Sequence, residues 1–138
     1  MQRFKWAPTF EIGVEEIDND HRHLVALAQQ VSEAAEKGEG ETCRSLVEGF
    51  VAALQSHIAN EERLLAGIRY EDFATHKRYH ELLLAKTREL KKTCDEAIKR
   101  GEAAACYLEV VGFVIDDMLR GDMTLKSYFD HRGLANRK

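Results

Sequence analysis

The sequence predicts an all-α protein: an antiparallel up-down-up-down four-helix bundle with an N-terminal arm and a short C-terminal helical segment. Three observations carry this. Apolar residues recur at spacings of three and four along most of the chain, the period of a helix with one buried face. A single proline occurs in 138 residues, so little interrupts those helices. Short glycine-bearing breaks divide the periodic stretch into four, and short loops between long helices make neighbours antiparallel. The length and the 44% hydrophobic content suit one domain over residues 1–138 with its own core. It divides into an arm (1–17), a bundle (18–120) and a C-terminal segment (121–138).

The arm is polar and aromatic, carries Pro8 and Gly13, and is expected to lack regular structure. Its Phe4, Trp6 and Phe10 are expected to pack over the bundle. The first helix is predicted from Asp18 to Lys37, with Ile17, His21, Leu24, Ala28, Val31 and Ala35 on its inner stripe; Gly38 and Gly40 break it. The second runs from Thr42, a plausible N-cap, to Leu65. Its stripe is Cys43, Val47, Phe50, Leu54, His57, Glu61 and Leu65. A connection from Gly67 to Glu71 leads to the third helix, Asp72 to Lys99, with Phe73, His76, His80, Leu83, Thr87, Leu90, Cys94 and Ala97 facing inward. Gly101 can end it in a left-handed conformation. The fourth runs from Glu102 to Arg120, with Cys106, Val110, Phe113, Asp117 and Gly121 on its stripe. A last helical turn or two is expected over Asp122 to Phe129.

Composition excludes several functions. The net charge is −4 and basic residues are dispersed, which gives no nucleic-acid surface. No run approaches the roughly 20 apolar residues of a membrane span. The N-terminus shows no apolar core of a secretory signal. Three cysteines without a CxxC pair argue against a disulfide framework, and a cytoplasmic, reducing setting is expected. Cys43, Cys94 and Cys106 are expected to be buried thiols at the end remote from the histidines.

The chemistry lies in histidines and carboxylates that stand where core residues belong. His57 and Glu61 form an HxxxE pair, His76 and His80 an HxxxH pair, and each pair shares one helix face. His21 precedes them; Asp117 and Asp122 follow. In the predicted topology the start of the first helix, end of the second, start of the third and end of the fourth meet at one end, so all seven converge. Buried together, they cannot satisfy one another without charge repulsion, whereas metal binding uses neutral imidazoles and anionic carboxylates. Seven ligands exceed the four of a zinc site and suit two five- or six-coordinate irons with bridging carboxylates. The Glu-x-x-His, HExxH and CxxCH motifs are absent, which removes ferritin-like, zincin and c-type haem readings.

Over nearly its whole length the chain resembles the hemerythrin family, within it the single-domain bacteriohemerythrins. The resemblance rests on Phe4-Lys5-Trp6, Ile12-Gly13-Val14, Ile17-Asp18-Asn19-Asp20-His21, His57-x-x-x-Glu61-Glu62, His76-x-x-x-His80, and a ligand pair before Lys126-Ser127-Tyr128. It implies a non-haem di-iron centre that binds dioxygen. His21 and His57 would serve one iron and His76 and His80 the other. Glu61 and Asp122 would bridge them beside an oxo or hydroxo group. It also implies an apolar dioxygen pocket at Leu24, Phe113 and Val114.

The chain departs from the family at one ligand: a histidine is expected five residues before the bridging aspartate, and Asp117 stands there. A carboxylate there adds negative charge and favours ferric iron. Oxygen storage, delivery or sensing is the leading expectation, ahead of an enzymatic role. The alternatives are a di-iron oxidase or peroxidase, a handler of nitric oxide or peroxide, or a redox or iron sensor acting through a protein partner. Asp18 and Asp20 read as N-terminal helix charges, Glu62 as a cap or salt-bridge residue, and His23 as solvent-facing.

Overall fold

The computed structural model describes residues 6–114 and 120–131. Its helices are α1 (Glu15–Glu36), α2 (Gly40–Gly67), α3 (Phe73–Lys99), α4 (Ala103–Gly112) and α5 (Arg120–His131). Each helix packs on the next from α1 to α4, and α4 returns to α1, which closes an all-α bundle. Every residue of the stripe predicted for the second helix is buried in α2. Among the described residues no helix is long and apolar enough to cross a membrane.

The connections explain where the helices stop. After α1, Gly38 takes φ +70°, its N–H donates to the Ala35 carbonyl at 3.1 Å, and the Glu39 N–H donates to Ala34 at 2.9 Å. This Schellman turn satisfies the last carbonyls of the helix. The start of α2 differs from the Thr42 cap expected from sequence. The helix begins at Gly40, where a side chain would meet Ile98 Cγ2 at 2.9 Å, so the close approach of α3 sets its position. After α2 the left-handed residue is Arg69 (φ 55°), while Gly67 stays helical.

The arm is more ordered than its composition suggests. Pro8–Phe10 make a 3₁₀ turn, and Trp6 and Phe10 pack against the core. Phe4 lies outside the described residues. α1 starts at Glu15 rather than Asp18. Asp18 is buried in the first turn of α1, and its carboxylate accepts the N–H groups of Ile12 at 2.7 Å and Gly13 at 3.1 Å, so this N-terminal charge also tethers the arm. Ile12 and Val14 then join Ile17, Leu65, Tyr70, Leu125 and Phe129 in a small apolar cluster. The main core lies on the other side of the histidine layer and includes Leu24, Phe50, Leu54, Ile58, Leu83 and Val110.

The cysteine expectation is corrected. Cys94 on α3 and Cys106 on α4 form a disulfide, and Cys43 alone is a free, buried thiol. Their sequence separation of 12 spans the α3–α4 turn, which folds the two positions face to face with Cα atoms 4.5 Å apart. The bond removes the cysteine-based argument for a reducing compartment.

Candidate metal centre

His21 sits on α1 between Ile17 and Leu24, and Glu61 sits on α2 between Ile58 and Leu65, all of them buried. The polar layer is therefore enclosed on both sides by apolar clusters. α1 supplies His21, α2 supplies His57 and Glu61, α3 supplies His76 and His80, and the first turn of α5 supplies Asp122. None of these six is more than 6% exposed. Gly121 lets α5 approach, because any β-carbon there would collide with the Tyr79 ring.

The four imidazoles turn Nε2 inward. His21 Nε2 lies 3.2 Å from His57 Nε2 and 3.0 Å from Asp122 Oδ2. His57 Nε2 lies 3.1 Å from Glu61 Oε2. Across the layer, His76 Nε2 is 2.5 Å from Glu61 Oε1 and 3.2 Å from Asp122 Oδ1, and His80 Nε2 is 3.1 Å from Glu61 Oε1. Two groups of four result: His21, His57, Glu61 and Asp122, and Glu61, His76, His80 and Asp122. Within each, the donor atoms lie within 4.8 Å of one another.

Without a cation this cluster holds protons. Burial pushes His57 down, but hydrogen bonds to Asp122, Asp20 and Glu61 outweigh it and raise the imidazole to about 11. His76 is treated alike and reaches about 9 through Asp122 and Glu61. Burial and the neighbouring Asp122 push Glu61 up, yet His57, His76 and His80 leave it below its ordinary value. Asp122, opposed by burial, is held well below the usual carboxylate range by His21, His57 and His76.

The proton network is incomplete. Among the described residues, His21 Nδ1 is buried without a hydrogen-bond partner, while Glu61 Oε2 and Asp122 Oδ1 have only ion-pair contacts, with His57 and His76 Nε2 at 3.1 and 3.2 Å, that fall outside hydrogen-bond geometry. Buried polar atoms of this kind are costly unless something satisfies them. Cations between the inward nitrogens and the two carboxylates would give every inward lone pair a partner, so the residues fit metal ions.

The comparison with known families decides the matter of kinship: the profile of the Hemerythrin HHE cation binding domain matches residues 12–123. The chain belongs to the hemerythrin family. This hemerythrin chain is 28% identical over 91 residues to the Bacteriohemerythrin of Pseudomonas aeruginosa, covering 66% of this chain and 60% of that protein. It is 29% identical over 87 residues to the Bacteriohemerythrin of Clostridium acetobutylicum, covering 60% and 67%. It is 27% identical over 77 residues to the Myohemerythrin of Theromyzon tessulatum, covering 56% and 59%. The match to the Pseudomonas protein thus spans about three fifths of that relative's length.

Of the seven predicted ligands, the structure brings six together; Asp117 lies outside the described residues. Leu24, Phe113 and Val114 are buried in the main core, with Phe113 edge-on to Phe50. α4 ends at Gly112, and Phe113 follows it with right-handed helical dihedrals (φ −61°, ψ −46°). His23 is exposed. Two residues were given lesser parts by the sequence: Asp20 Oδ2 accepts from His57 Nδ1 at 2.9 Å, and Glu62 Oε2 accepts from His80 Nδ1 at 2.9 Å. Their only sequence signal is position, each adjoining a buried member of the cluster.

Proposed function

We propose that this chain is a non-haem di-iron protein that binds dioxygen for storage, delivery or sensing, with residues 1–138 acting as one domain. The observation that supports this most is that the two ligand groups share Glu61 and Asp122. A carboxylate has two oxygens, so two shared carboxylates suit a pair of cations held side by side. In this reading His21 and His57 would hold one iron, His76 and His80 would hold the other, and Glu61 and Asp122 would be shared between the two. Bound iron supplies the redox chemistry toward dioxygen.

The chain's own residues do the rest. The imidazoles bind as neutral ligands, and the carboxylates offset cationic charge. Leu24, Phe113 and Val114 keep the adjoining space apolar, which disfavours escape of charged oxygen species. The hemerythrin names of the relatives agree with dioxygen as the ligand. A second reading is favoured by the sequence at Asp117: a carboxylate where the family has a histidine would, as a ligand, stabilise ferric iron, which suits an oxidase, a peroxidase or the handling of nitric oxide or peroxide.

The test is to load the protein anaerobically with ferrous iron and record its visible spectrum before air, in air, and after oxygen is removed. A band that forms in air and bleaches on deoxygenation is expected. An irreversible ferric spectrum would favour the second reading, and a chain that retains no iron would overturn both.

A further inference from the structure

Two carboxylates outside the ligand groups each back one histidine, one in each half of the cluster. Asp20 on α1 reaches across to His57 on α2, and Glu62 on α2 reaches across to His80 on α3. Neither contributes an oxygen to the candidate metal groups. Their side chains are 32% and 24% exposed, against 2% for the histidines they hold. Asp20 also lines an open cleft of about 540 Å³ with Asn60 and Arg63. Each carboxylate thus keeps contact with solvent, while its histidine enters the dry layer.

A carboxylate only accepts, so the proton of each contacted imidazole sits on Nδ1. That leaves the inward Nε2 lone pair free for a cation. We propose that Asp20 and Glu62 are positioning residues, one for each metal: Asp20 fixes the tautomer, orientation and basicity of His57, and Glu62 does the same for His80. This rests on the di-iron reading and deepens it. The contrast within the first half is direct, because His21 Nδ1 is buried without a partner among the described residues. His57 is therefore the ligand there whose outer nitrogen is anchored by a carboxylate, as that of His21 is not. An anionic partner makes an imidazole a stronger donor, and loss of such a partner typically weakens metal binding by about 10–100-fold.

The experiment is an anaerobic titration of the full chain with ferrous iron, repeated with cobalt(II), on wild type, Asp20→Ala, Glu62→Ala, Asp20→Asn and Glu62→Gln. The wild type should take up two metals. Each alanine variant should keep one at wild-type affinity and bind the other about 10–100-fold more weakly. The amide variants keep an oxygen acceptor but lose the charge. They should show a smaller loss, together with a positive shift of the ferric–ferrous potential, which a merely structural contact would not move. Melting of the metal-free variants checks that they fold. A wild type with two metals and variants that match it, or that lose both metals equally, would overturn the assignment alone. A wild type that binds no metal would overturn the di-iron reading and this inference with it.

Discussion

The two ends of the bundle solve burial in opposite ways. At the far end, Cys43, Cys94, Cys106, Tyr107 and Val110 fill the interior with side chains that need no counter-charge. At the other, six ionisable side chains occupy one layer, and three of their buried polar atoms make no well-formed hydrogen bond among the described residues. The first arrangement is worth its packing. The second is unfavourable on its own terms and makes physical sense once something enters it. Stability and function are thus separated along the bundle axis, and variants at the two ends should fail differently.

The largest effect should come from the packed end. Tyr107 is buried beside Cys106, and Tyr107→Ala should cost about 3–5 kcal/mol in denaturant unfolding of the metal-free chain. Metal affinity measured well below the unfolding midpoint should change little. Next comes the disulfide. It closes a loop with a sequence separation of 12, and its reduction should cost about 2–4 kcal/mol, read as a lower denaturant midpoint with reductant, again with both metals kept.

The metal end should show itself in pH dependence instead. His57 and His76 are raised to about 11 and about 9 in the metal-free chain. Their contribution is full below the ordinary value of 6.5 and is lost as pH rises through about 9 and then about 11. The metal-free melting temperature should therefore fall across that window. With metal bound the same imidazoles are already neutral, so the fall should disappear and affinity should rise with pH. Coincident melting curves for the two forms throughout the window would break the contrast. The smallest effect is a control: exposed His23→Ala should stay within about 0.5 kcal/mol and leave metal uptake unchanged.

The sequence showed the two ends with unequal clarity. The α2 stripe was legible in full because one amphipathic helix buries one face, and periodicity reports that face directly. His57 and Glu61 on that stripe, with His76 and His80 on the next, pointed to a shared layer before any coordinates. What periodicity does not report is which neighbouring helix a flanking residue faces. Asp20 therefore read as a helix N-terminal charge and Glu62 as a cap or salt-bridge residue, without the histidine that each holds across a helix interface. Asp18 stands in the first turn of α1 as a helix N-terminal charge, but its tether to backbone N–H groups of the arm was hidden for a related reason, since a stripe predicts no such contact. The Cys94–Cys106 bond was hidden because pairing depends on how the α3–α4 turn closes, which cysteine spacing alone does not fix.

The most direct test of this division is the metal content of the full chain after anaerobic loading with ferrous iron and removal of excess, beside a Glu61→Ala, Asp122→Ala double variant. The wild type should retain two irons per chain and the double variant none, because the variant removes both carboxylates shared by the two ligand groups. Loss of metal should leave a folded helical chain, since the packed end is untouched. A wild type without iron, or a double variant that still holds two, would contradict the assignment of this layer as the metal centre.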